Sequence, residues 1–199
     1  MYSNDPWPHI VTNGVLTSNN LEMIVGSIKT VEFSRFAPKR TRAGMAKTFS
    51  YRMNGFRDKL DNFDGHYELH DIMDLRQIHM LWDSIKDQVF DNYNTLTKFK
   101  PVKFTEILIS YNKVYGNQPV PYSRYDNALM DNMLMLELSQ DIWLSNDGIG
   151  LYSDQETLVK TIPWSYNSMM SYCQEYGSTW LGYPLQQPSS TRYFNIQLR

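Results

Sequence analysis

Cysteine is nearly absent from this 199-residue chain. Cys173 stands alone, which excludes an intramolecular disulfide and a four-thiolate zinc site. An excess of one charge is missing too. Nineteen Lys and Arg face 21 Asp and Glu, a formal net charge of −2, so no protein-wide field draws in nucleic acid or an anionic membrane; only segmental patches could do so. No apolar run approaches the ~20 residues of a membrane span. The N-terminal MYSNDPWPHI has neither the basic n-region nor the apolar h-region of a signal peptide. Internal repeats, low-complexity tracts and catalytic signatures are also lacking. These absences predict a soluble protein made in a cytoplasm, with no enzymatic centre and no cofactor.

Aromatic residues are plentiful, with 14 Tyr, 9 Phe and 5 Trp, which argues against global disorder. The length is enough to bury a substantial core, and the expectation is one domain over 1–199 with an extended loop at 33–57 and a C-terminal arm at 178–199. Charge is segregated within it. The stretch from Phe33 to Arg57 holds Arg35, Lys39, Arg40, Arg42, Lys47, Arg52 and Arg57 and no acid. The next stretch holds Asp58, Asp61, Asp64, Glu68, Asp71 and Asp74 against Lys59 alone.

Local patterns predict the elements. Asn13-Gly14 reads as a hairpin turn, because both turn positions favour positive φ. Leu21 to Phe33 reads as a strand, its first half alternatively as a short helix opened by Asn20. The basic stretch, punctuated by Pro38, Gly44 and Gly55, reads as a long surface loop with room for a strand near Lys47 to Met53. From Leu75 to Phe99 the residues Leu75, Ile78, Leu81, Trp82, Ile85, Val89, Tyr93 and Leu96 fall on one face, which predicts an amphipathic helix opened by Asp71 or Asp74 and stopped before Pro101. Val102 to Tyr111 alternates like a strand. Leu129 to Leu138 fits helix and strand equally. Asn146-Asp147-Gly148 marks a second hairpin, and Thr157 to Ile162 a further strand. Ser165 to Tyr176 reads as a short helix. In the last stretch Phe194, Ile196 and Leu198 alternate with Tyr193, Asn195 and Gln197, a strand in want of an edge on its own sheet or a neighbour's. The fold class expected is α+β: a mainly antiparallel sheet, sandwiched or curved, covered by one long amphipathic helix, with a long basic loop.

Several constellations could carry chemistry. His66 and His70, spaced i and i+4, would share a helical face, with His79 nearby and Asp71 or Asp74 to complete a metal site. Surface histidines on an acidic loop explain the same pattern, and the expectation is no metal. Asp58, Asp61 and Asp64 read as a solvated run, and Cys173 as a small core residue. The basic arm, with Phe36, Phe49, Tyr51 and Phe56 interleaved, suits phosphate contacts and base stacking on nucleic acid. Because the chain as a whole is nearly neutral, the arm suits an acidic protein surface better, most simply the acidic block of another copy, which would close head-to-tail into a ring. A solvated loop without a partner is the third reading.

The order of these features resembles the tail-tube and tube-initiator proteins of tailed bacteriophages, and neck or connector proteins almost as well. The matching stretches are the loop Phe33 to Arg57, the helix Leu75 to Phe99, the strand Lys103 to Tyr111 with its Gly116-Asn117 turn, and the run Met133 to Gln140. The resemblance implies a virion structural protein made in the host cytoplasm. Its partners would be copies of itself and other virion proteins, with DNA passing nearby. It would have no membrane contact, no small-molecule substrate and no active site. The alternatives carried beside it are a nucleic-acid-binding module using the arm 33–57 and a small metal-dependent enzyme using His66 and His70.

Overall fold

The basic stretch 33–57 supplies strands to the larger of two sheets. A computed structural model describes residues 1–29, 39–41, 44–53, 66–97, 106–115, 118–122, 129–135, 148–163, 165–173, 179–183 and 191–199. Along the chain run β1 (Tyr2–Ser3), β2 (His9–Asn13), α1 (Ser18–Lys29), β3 (Lys39–Thr41), β4 (Gly44–Met53), β5 (His66–Glu68), a 3-10 turn (Leu69–Asp71) and α2 (Leu75–Leu96). Then follow β6 (Ile107–Tyr115), β7 (Gln118–Tyr122), β8 (Met130–Met135), β9 (Gly148–Tyr152), β10 (Leu158–Pro163), β11 (Ser168–Cys173), β12 (Trp180–Tyr183) and β13 (Thr191–Leu198).

The large sheet has the order β1-β2-β11-β8-β13-β6-β4-β3, with β5 beside β4; the small sheet has the order β10-β9-β12-β7. All pairings are antiparallel except β4 with β5. From β6 to β13 the chain shuttles between sheets: β6, β8, β11 and β13 lie in the large one and β7, β9, β10 and β12 in the small one. That is the weave of an eight-stranded double-sheet jelly roll. The expected mainly antiparallel α+β class is observed, as two facing sheets with two helices rather than one covering helix.

Two apolar layers hold it together. Outside the large sheet, α1 (Leu21, Ile24, Val25, Ile28) and α2 (Ile78, Leu81, Trp82, Ile85, Val89) pack on Ile107, Ile109, Tyr111, Met130, Leu134, Met169, Phe194 and Ile196. Between the sheets, Met133, Met135, Met170, Tyr172 and Tyr193 meet Ile149, Leu151, Ile162 and Leu181, with Trp7 closing one side. A hydrogen-bond chain fixes α2 on its sheet: Gln88 donates to Asn92 (2.9 Å), Asn92 to Ser171 (2.8 Å), Ser171 to Asn132 (2.7 Å), and Asn132 to the Ile196 carbonyl (2.9 Å).

Helix α2 forms as its periodicity predicts. Asp74 opens it with a capping box: its carboxylate accepts from the Arg76 N–H at 2.8 Å, and Gln77 reaches back to the Asp74 N–H at 3.2 Å. Three predictions need correction. Leu21–Lys29 is helical, because Leu21, Ile24, Val25 and Ile28 recur at helical spacing and all bury on one side; that face overrides the β preference of Ile and Val. Asn13-Gly14 is no hairpin: Gly14 (φ +65) turns the chain off β2 toward α1, and its N–H donates to the Asn167 carbonyl at 2.8 Å. Ser168–Cys173 is a strand, not a helix; it lies between β2 and β8 with both faces covered, so its sequence lacks alternation.

Of the remaining segments, Gly44–Met53 contains the strand expected near Lys47 to Met53. Met130–Met135 settles as strand the run that fitted either form. The first arm of the second hairpin signal, Ile142 to Leu144, lies outside the described residues. Its second arm, β9, pairs with β10 and β12. The terminal strand finds its edge on its own sheet: β13 is central, between β6 and β8.

Candidate functional site

Strand ends locate the mouth of the jelly roll. Strand β7 finishes at Tyr122, opposite Leu181 near the start of β12. Strand β8 starts at Met130, opposite Leu198 at the end of β13 and Cys173 at the end of β11. Only residues 123–129 separate Tyr122 from Met130, so these ends lie at one end of the two sheets.

Side chains alternate across a strand, and Tyr193, Met133, Met170 and Tyr172 pack between the sheets. Asn195, Gln197 and Asp131 therefore share the inner face, as do Ser110 and Leu108, their register partners on β6. Two rows result. The outer row runs His9–Tyr172–Asp131–Gln197–Leu108 and the inner one Val11–Met170–Met133–Asn195–Ser110, across β2, β11, β8, β13 and β6.

The polar members are wholly buried: Asp131 is 0% exposed, Asn195 1% and Gln197 2%. Asp131 Oδ1 accepts from Asn195 Nδ2 and from Gln197 Nε2, each at 2.8 Å, and Gln197 Oε1 accepts from Arg199 Nη2 at 2.7 Å. A buried carboxylate needs this support, since stripping its donors would cost several kcal/mol. One atom is left over. Asn195 Oδ1 is buried and has no hydrogen-bond partner among the described residues, a penalty of about 1–3 kcal/mol unless a donor meets it.

At the β2 side, Trp7 packs at a tilt against Tyr172 (5.4 Å between centroids) and meets the His9 ring edge-on (5.7 Å). The Trp7 indole donates to the Tyr152 carbonyl at 3.3 Å, tying this corner to the small sheet. His9 Nδ1 lies 2.9 Å from the Trp7 carbonyl. A carbonyl only accepts, so the proton sits on Nδ1 and the Nε2 lone pair is left. Burial holds the His9 pKa below its ordinary value, against the opposing pull of that hydrogen bond. The ring is therefore neutral near pH 7.

The residues singled out from sequence lie elsewhere. Lys39 and Arg40 are on the edge strand β3, and Lys47 and Arg52 on β4. Arg35, Arg42, Arg57, Asp58, Asp61 and Asp64 lie outside the described residues. Glu68 is on β5, Asp71 ends the 3-10 turn, and Asp74 is the cap of α2. The proposed i, i+4 histidine pair shares no helical face, because His66 is in a strand and His70, exposed, is in the turn; His79 is exposed on α2. No group of three or more His, Cys, Asp and Glu able to hold a metal occurs among the described residues. Cys173 packs against the helix-side core. The sequence reading missed Asp131, Asn195, Gln197, His9 and Tyr172, which only strand register brings together. The one signal available was the alternation Tyr193, Asn195, Gln197.

No protein-family model matches the chain, and no curated protein matches it. Solved structures do match in fold. A 2OG-Fe(II) oxygenase family protein from Caulobacter crescentus superposes with a TM-score of 0.58 at 10% identity, over 96% of this chain and 77% of that one. A prolyl hydroxylase from Trichoplax adhaerens, solved with a hypoxia inducible factor peptide, gives 0.56 at 9% identity, over 96% and 82%. The viral collagen prolyl hydroxylase of Paramecium Bursaria Chlorella virus-1, solved with 2OG, gives 0.52 at 11% identity, over 98% and 97%. This likeness overturns the phage tail or neck resemblance. With it go the virion structural role, the ring assembly, the absence of enzymatic activity and the absence of a small-molecule substrate. Within the long early loop that suggested a tube protein, the described residues form strands β3 and β4, and the single helix is one of two among the described residues that back the jelly roll.

Proposed function

We propose that the chain is an oxygenase-like enzyme of the jelly-roll type, taking a small molecule at the mouth between its sheets. One observation carries this reading: the buried polar row Asp131–Asn195–Gln197, set among apolar side chains, with Asn195 Oδ1 left without a donor. Apolar walls with a few convergent polar groups are the kind of lining that holds a small ligand. The ligand chemistry that suits it is a compact molecule with an N–H or O–H donor for Asn195 Oδ1 and an apolar part for Met133, Met170 and Tyr172. The 2-oxo acid of the oxygenases, 2OG, is the first compound to try, beside amino acids and small amides.

Thermal-shift screening of 2OG, other 2-oxo acids, amino acids and amides, followed by calorimetric titration of any compound that stabilises the protein, tests the proposal. At least one compound should raise the melting temperature, and Asn195→Leu should weaken its binding about tenfold or more, the loss of one buried hydrogen bond. A full panel without stabilisation, or an Asn195→Leu variant that binds as tightly as the parent, would sink it.

A further inference from the structure

The iron that the names of its structural neighbours imply has a characteristic donor set: two histidines and one carboxylate on one face of the metal. The residues of this chain do not fit it. No histidine occurs between His79 and Arg199, so the whole jelly roll β6–β13 and its connections contain none. The only cysteine packs on the helix side of the large sheet, away from the inner face.

The four histidines do not supply the missing pair. His70 and His79 are exposed, in the turn before α2 and on α2 itself, and α2 covers the outer face of the large sheet. His66 sits on β5, which joins the large sheet beyond β6 through β4. His9, on β2, shares the inner face, and His66 stands by register in the row Tyr193–Asn112–Thr48–His66 at the opposite flank, with five strands between the two, so they cannot reach one metal. In the row of His9, Tyr172 stands between His9 and Asp131. The Asp131 carboxylate is also committed: two amide N–H groups converge on Oδ1, so the position a cation would take beside that oxygen is held by positive hydrogen ends. An octahedral or facial iron site needs the reverse, an oxygen lone pair turned toward the metal.

We infer that the mouth of this jelly roll has no two-histidine iron centre, and that its ligand is held by the Asp131–Asn195–Gln197 row without a metal. This deepens the reading above and rests on it for the existence of a ligand. It also assigns the polar row a purpose: the carboxamides hold the buried charge of Asp131, the task a cation performs in an iron site.

The experiment uses the full chain, loaded with Fe(II) under anaerobic conditions, desalted, and measured for metal content by mass spectrometry. Titration calorimetry with Co(II) and Mn(II) accompanies it. The ligand-induced thermal shift is recorded with and without EDTA. The expected result is iron far below one equivalent, no calorimetric binding of Co(II) or Mn(II), and a shift unchanged by chelator. One equivalent of retained iron would overturn the inference, as would a ligand shift that EDTA abolishes and Mn(II) restores. The two readings fail separately. If no compound stabilises the protein, the ligand reading is lost while the metal content still decides the iron question. If iron binds stoichiometrically and ligands stabilise only the loaded protein, the enzyme reading stands and the metal-free one falls.

Discussion

His9 couples stability to pH. Its folded pKa lies below the unfolded value of 6.5 because burial opposes charging the ring. As pH falls through 6.5 the unfolded chain takes up a proton that the folded protein still refuses, so unfolding gains and stability drops until the folded pKa is passed. Above that window the contribution is constant. Denaturant midpoints measured from neutral pH down to about pH 5 should fall, and His9→Gln should flatten that dependence; an equally steep profile in the variant would place the titration elsewhere. Asn195 acts at both ends of its amide: Nδ2 holds Asp131 Oδ1 and Oδ1 is the atom left for a ligand, so Asn195→Leu should lower stability as well as ligand binding. Neither residue announces itself in sequence. Asn195 and Gln197 occupy the polar half of an alternating strand, the half that ordinarily meets water. Only because β13 lies between β6 and β8, with a second sheet over it, does that half face inward. Asp131 is 64 positions from Asn195 and 66 from Gln197, separations no local pattern spans.

Elements differ in how openly their sequences declare them. Helix α2 could be read because seven of its residues are buried along one stripe and Asp74 and Gln77 form a capping box. Asp74→Ala should remove the cap at a cost of about 1 kcal/mol, seen as a fall of about 2–4 °C in thermal midpoint for a chain of this size. An unchanged midpoint would mean the cap contributes nothing to α2. The edge of β9 offers a sharper test. A Cβ on Gly148 would lie 2.1 Å from the Ile162 carbonyl oxygen and 2.7 Å from its carbon, both backbone atoms of β10. Gly148→Ala must therefore push the two strands apart, and a loss of about 1–3 kcal/mol in chemical denaturation is expected. Strand β11 was illegible, and helix α1 legible only as the alternative to a strand, for opposite reasons. The Ser and Met residues of β11 are covered on both faces and show no period. In α1, Ile24, Val25 and Ile28 favour strand by type and helix by spacing. In both, the neighbours decide.

At the scale of the molecule, the described members of the basic and acidic stretches that dominate the primary structure belong to the large sheet's flank, to the turn before α2 and to its cap, while the polar row at the mouth is drawn from strands of ordinary composition. Segregated charge was the loudest signal in the chain, yet its described members join the two inward-facing rows only at their β4 and β5 ends, where Arg52 is in register with Leu108, and Glu68, through Ser50, with Ser110. The position of β13 has its own consequence during synthesis. It follows every other strand in chain order, yet it sits at the middle of the large sheet, paired to β6 and β8. A nascent chain that has emerged as far as β12 can therefore form two separate half-sheets, β1-β2-β11-β8 and β6-β4-β3, each with a long bare edge facing the gap. Such edges recruit other strands. A chain ending at Tyr183 should accumulate in the insoluble fraction, and adding residues 184–199 back should return it to solution; a soluble, monomeric truncation would show that the halves close without their central strand. Strand β13 thus acts as a keystone between the two half-sheets, and until it emerges the growing polypeptide depends on whatever shields nascent edges in the cell.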